Sequence, residues 1–123
     1  MSLAHAVTTC RRILKAVADH LLPGVAGSTS EAGNSLNDAA YRNRIYEFIN
    51  SNVVSDATGE TIKSAVGGLF DRFSAIDRLA SKGVHADLGV SEAELCAIHT
   101  YLVAGELLNL SSSAAGQAAE AGR

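Results

Sequence analysis

Apolar residues recur along this chain at steps of three and four, the spacing that gathers them on one face of a helix. The first run is LAHAVTTCRRILKAVADHLLPG. Leu3, Ala6, Val7, Cys10, Ile13, Leu14, Val17 and Leu21 make its stripe, while Arg11, Arg12, Lys15 and Asp19 fall on other faces. Pro23 and Gly24 stop it. Residues 24–37 are rich in Gly, Ser and Asn and read as a mobile loop. That loop is longer than the roughly two to eight residues that usually join helices in a bundle.

A short second helix is expected in AAYRNRIYEFINSN, capped by Asn37 or Asp38. Tyr41, Ile45, Phe48 and Ile49 form its apolar stripe, and Arg42, Asn43, Glu47 and Asn50 point away from it. The third helix is expected to start near Thr58 or Glu60 and to carry Ile62, Val66, Leu69, Phe73, Ile76, Leu79 and Ala80 inward. Gly67 and Gly68 each cost about 1 kcal/mol of helix propensity against alanine, which points to close approach by a neighbouring helix, with a kink as the alternative. Gly83 is placed to end this helix. Ser91 and Glu94 read as a capping box that opens a fourth helix, with Leu95, Ile98, Leu102, Gly105 and Leu108 as its buried stripe. Residues 111–123 carry no apolar anchor and read as a flexible tail. The pattern predicts an all-α fold, an up-and-down bundle of about four helices in one domain over residues 1–110.

Composition agrees with close-packed helices: aromatics are 5%, tryptophan is absent and there is one proline in 123 residues. Cys10 and Cys96 sit within apolar stripes, and no Cys or His stands at ligand spacing beside either. They read as small buried residues, and no metal or other cofactor is expected. The chain shows no signal-peptide pattern and no apolar run long enough to cross a bilayer, so a soluble cytoplasmic protein without a membrane partner is expected.

The net charge of −3 argues against a protein that grips duplex nucleic acid over its whole surface. Nine of the ten Lys and Arg residues nevertheless precede residue 84. Arg42, Arg44 and Lys82 are therefore candidate contacts for RNA phosphates, against the plainer reading of a solvated helix turn.

Arg78 and His85 stand at either side of the expected helix end, in RLASKGVH. Arginine is permanently charged and forks onto phosphate oxygens. Histidine exchanges a proton near neutral pH. Together they supply what metal-free RNA cleavage needs: a group that moves the 2′-hydroxyl or leaving-group proton, and a cation on the phosphorane. No Walker-type loop, dinucleotide fingerprint, nucleophile elbow or zinc-ligand pattern competes with them.

RLASKGVH, with the helices around it over residues 38–110, resembles the HEPN superfamily of helical domains from prokaryotic toxins, defence systems and RNA-processing factors. That family carries an Arg, four to six residues and a His before its final helix. The resemblance implies a HEPN-like fold and a homodimer in which Arg78 and His85 of both subunits line a shared cleft and cut RNA without metal. A fusion or partner protein in a defence system is a further expectation. Leu79 stands where the family usually has a polar residue. The alternative reading is a non-catalytic helical module for dimerisation, protein interaction or regulation.

Overall fold

Four helices account for nearly all the regular structure: α1 (Leu3–Leu21), α2 (Tyr41–Asn52), α3 (Asp56–Ser81) and α4 (His85–Ala121). The computed structural model describes residues 3–53, 55–81 and 85–121; the side chains of residues 79–81, 85–90, 115 and 117–121 lie outside that description. The fold is an all-α helical bundle, with no strand among the described residues.

In α1 the predicted face is the buried one. Leu3, Ala6, Val7, Cys10, Leu14 and Ala18 are in the core, and Val17 and Leu21 pack against it. In α3 the buried series is Ile62, Val66, Leu69, Phe70, Phe73 and Ile76, again close to the expected stripe. Leu79 and Ala80, also expected inward, have side chains outside the described set, and Gly83 lies outside the described residues. Phe70 links the aromatic contacts of the core, 5.8 Å from the ring of Tyr41 and 5.9 Å edge-on from Phe73. The helix passes through Gly67 and Gly68 without interruption. A Cβ on Gly67 would stand 3.4 Å from Tyr46 Oη of α2, and one on Gly68 would stand 3.7 Å from the His99 ring of α4. The two glycines therefore lie where α2 and α4 side chains cross α3.

The helix starts differ from expectation. α3 begins earlier, at Asp56, because Ser55 Oγ accepts from the Thr58 N–H at 3.2 Å and so caps the helix. α2 has no side-chain cap at its own N-cap residue, Ala40. Asn37 instead acts one step earlier, its Oδ1 accepting from the Ala40 N–H at 3.0 Å to shape the turn before the helix.

The loop between α1 and α2 is a folded segment. Thr29 and Ser35 form an antiparallel bridge, and the Leu36 N–H donates to the Ser28 carbonyl at 2.8 Å. Gly33, with φ +85°, turns the tip. Gly24 is required for a different reason: a Cβ there would lie 2.5 Å from Asp38 Cα. The two ends of the loop are thus pressed backbone to backbone.

The largest departure is α4. It starts at His85, so Ser91 and Glu94 lie inside the helix and form no capping box. Residues 85–90 carry helix-compatible types apart from Gly89, and extending a formed helix costs far less than nucleating a new one. The same argument accounts for the other end, where α4 runs through the alanine-rich segment to Ala121 in place of the expected tail. The predicted buried stripe is also reversed. Leu95, Ile98, Leu102, Gly105 and Leu108 are exposed, and the face against the core is Cys96, Thr100, Val103, Ala104, Leu107 and Leu110.

Candidate functional site

Arg78 stands in the last turn of α3 with its side chain exposed, where a cation also complements the helix carbonyl end. His85, expected just past a helix end, is instead the first residue of α4. The two residues thus flank the α3–α4 connection. The His85 side chain and all of Lys82 lie outside the described residues.

The basic turn of α2 divides in two. Arg42 is exposed, and its guanidinium lies over the rings of Phe70 at 4.7 Å and Tyr46 at 5.6 Å, so a cation sits on the α2–α3 seam. Arg44 is fully buried, which corrects the expectation of a solvated turn or an RNA contact at that position. Its guanidinium donates to the Leu22 carbonyl at 3.0 Å and to the Asp38 carbonyl at 2.7 Å, and it pairs with Asp19 at 2.9 Å. Only its Nε has no hydrogen-bond partner among the described residues. A buried charge is tolerable when it is paired and hydrogen-bonded in this way. The side chain clasps the end of α1, the end of the loop and α2 together.

Outside that clasp, Lys15 bridges Asp19 at 3.0 Å and Asp38 at 3.1 Å. The Asp19 carboxyl is held below its ordinary range, first by the hydrogen bond from Lys15 and then by that from Arg44. Two further pairs tie helices together: Arg11 with Asp77 joins α1 to α3, and Arg72 with Glu92, at 2.6 Å, joins α3 to α4.

Cys10 and Cys96 are both buried, as expected, and both are free thiols. The fold also brings them together across α1 and α4, which sequence reasoning missed. Desolvation, reinforced by the neighbouring Cys10, pushes the Cys96 thiol up to about 12. It therefore stays protonated and inert at neutral pH. His99 is half-buried against α3, while His5 and His20 are on the surface of α1. Among the described residues no cluster of His, Cys, Asp and Glu could hold a metal ion, and no helix is long and apolar enough to cross a membrane.

Two concavities stand out among the described residues. A polar one of about 650 Å³ lies between the loop and α2, lined by Glu31, Asn34, Asn43, Tyr46, Glu47 and Lys63 among others. Its charges are mixed, and Asn43 is already committed to the Ser35 carbonyl at 3.1 Å. The second, an apolar groove of about 410 Å³, runs between Ala6, Thr9 and Ile13 of α1 and Ala93, Ala97 and Tyr101 of α4.

That groove borders the most conspicuous surface of the molecule. Leu95, Ile98, Tyr101, Leu102 and Leu108 project from the outer face of α4, with exposures of 46%, 63%, 71%, 58% and 41%. Exposed apolar residues are ordinary when scattered; a contiguous row bordered by polar residues marks a binding surface. The sequence pattern picks out four of these, Leu95, Ile98, Leu102 and Leu108, and assigns them to the core; Tyr101 is not in that stripe. Compared with protein-family models, curated protein sequences and solved structures, the chain matches none.

Proposed function

We propose that this domain is a helical interaction module whose working surface is the outer face of α4. The observation that carries the reading is the row Leu95, Ile98, Tyr101, Leu102 and Leu108 on a helix whose opposite face already fills the core. A helix apolar on both sides is expected where both sides are covered. The basic turn favours the same reading, because Arg44 is spent inside the fold. A photoreactive amino acid at position 98 or 102, irradiated in the producing cell, is expected to give one defined adduct. The same group at Ser64, an exposed position on α3, is expected to give none. Absence of adducts at 98 and 102 overturns the reading.

A second reading is a HEPN-like, metal-independent endoribonuclease of a bacterial defence or toxin-type system. It is favoured by the exposed Arg78 at the end of α3 and by the start of α4 at His85. In it His85 moves the proton, Arg78 stabilises the phosphorane and Arg42 contacts the RNA backbone. RNA cleavage by the purified chain in EDTA, lost in His85→Ala, is the expected result. Cleavage that is absent, or unchanged by the substitution, removes this reading.

A further inference from the structure

We infer that the partner on the outer face of α4 is a second copy of this chain, joined through antiparallel pairing of the two α4 helices about a two-fold axis between Tyr101 and Leu102. This inference rests on the reading of α4 as an interaction surface and names its occupant.

The argument begins with spacing. Between residues 91 and 112 the exposed positions on this face are Ser91, Glu94, Leu95, Ile98, Tyr101, Leu102, Gly105, Leu108, Asn109 and Ser112, and the small residues Ser113 and Gly116 continue it toward the C-terminus. Over that stretch, which holds every large apolar side chain of the face, the spacing is the same read forwards or backwards. An antiparallel copy therefore sets Leu95 opposite Leu108 of the partner subunit and Tyr101 opposite Leu102 of the partner subunit. Ile98 falls opposite Gly105 of the partner subunit. There is room for it, because nothing lies within 4 Å of where a Cβ on Gly105 would stand. The large side chain of one copy thus meets the gap in the other, twice over, as a two-fold interface requires.

Polar positions follow the same symmetry. Glu94 falls opposite Asn109 of the partner subunit, an acceptor facing an amide that can donate, and Ser91 falls opposite Ser112 of the partner subunit. No acid on this face is set against an acid. The apolar residues occupy the centre and the polar ones the ends, the arrangement of core and rim in specific interfaces. At their observed exposures the five large apolar side chains offer on the order of 500 Å² per copy. Two copies face to face then remove at most about 1,000 Å² from these side chains, the lower limit of a specific interface, with the flanking polar residues adding to it.

The pairing has a consequence for the α3–α4 connection. His85 lies about 16 residues along α4 from the proposed axis, so at about 1.5 Å per residue the two His85 positions are about 50 Å apart. The two Arg78–His85 ends then lie at opposite poles of the pair and share no cleft.

Sedimentation equilibrium with charge-exchanged variants tests the inference. The wild-type chain is expected at twice its 12.7 kDa. Leu95→Glu and Leu108→Lys, each with unchanged helicity by circular dichroism, are expected to be monomeric alone. Mixed, they are expected to recover the doubled mass, because Glu and Lys then face each other at one end while Leu95 and Leu108 remain paired at the other. A wild-type monomer at about 100 μM, variants that still dimerise, or a mixture that fails to recover the dimer each overturns the antiparallel pair. Adducts at 98 and 102 with a different protein, alongside a monomeric wild type, remove the second copy and leave the interaction module standing. No adducts at all removes both.

Discussion

α1 and α4 pack against each other, yet they treat their apolar residues differently. α1 has one apolar face, and that face is buried: Leu3, Val7, Cys10 and Leu14 point to the core while Arg12 and Ala16 meet solvent. α4 has two. Cys96, Val103 and Leu107 fill the core, and Leu95, Ile98 and Leu102 lie on the outside at a similar helical spacing. On α1, periodicity therefore identifies both the helix and its inward side. On α4 it identifies the helix and leaves the side open, because either apolar arc can be the buried one. The difference teaches that surplus hydrophobicity on a helix is information about what lies beyond the chain.

The sharpest way to test this comparison is to remove a leucine from each arc of α4. Leu107→Ala takes a fully buried side chain from the core and is expected to lower stability by about 3 kcal/mol in urea denaturation, the range for buried Leu truncations. Leu14→Ala on α1 should cost a similar amount. Leu102→Ala, on the outer arc, is expected to change the stability of the monomer by no more than about 0.5 kcal/mol, measured at protein concentrations below the pairing range. A large loss at Leu102 under those conditions would mean that the outer arc belongs to the fold.

Arg44 extends the comparison to a charge. Arg44→Met keeps volume while leaving the Leu22 and Asp38 carbonyls without their donor, with an expected loss of about 2 kcal/mol. Arg42→Met, on the exposed side of the same turn, is expected to cost about 0.5 kcal/mol, mainly through its ring contacts. Equal effects in the two variants would contradict the division of that turn into a buried and a solvated arginine.

The smallest expected effect is the pH dependence of the Lys15–Asp19 pair. Asp19 has a depressed folded-state pKa, so its contribution is present above its ordinary value of 3.8 and is lost as pH falls through the lower folded value. Asp19→Asn should therefore flatten the acid limb of the stability–pH curve below about pH 4. The share of that difference due to exposed Lys15 should shrink with added salt, while the share due to buried Arg44 should persist.

These contrasts also mark what the chain's sequence makes legible. The four-helix content and the buried faces of α1 and α3 follow from single, well-separated apolar stripes. The early start of α4 does not, because Ser-x-x-Glu has the same spelling at a helix start and within a helix whose backbone donors are already bonded. Arg44 is readable in part: it stands four residues before Phe48 and so shares the buried face, whereas Arg42 stands at the edge of that face, over the α2–α3 seam. The meeting of Cys10 with Cys96 depends on how α1 seats against α4, which no local pattern encodes. Of the candidate site, Arg78 is where its sequence position implies, and the outer row of α4 was visible as a stripe with the wrong neighbour assigned to it.

The most direct test of the account is a distance. Spin labels placed by His85→Cys in the wild-type background report on the α4 starts alone, since Cys10 and Cys96 are buried and Cys96 is held protonated. Antiparallel α4 pairing predicts a dipolar distance of about 50 Å between the two labels. A distance below about 25 Å, as a cleft shared by both Arg78–His85 ends would require, contradicts it, and so does the absence of any intermolecular coupling.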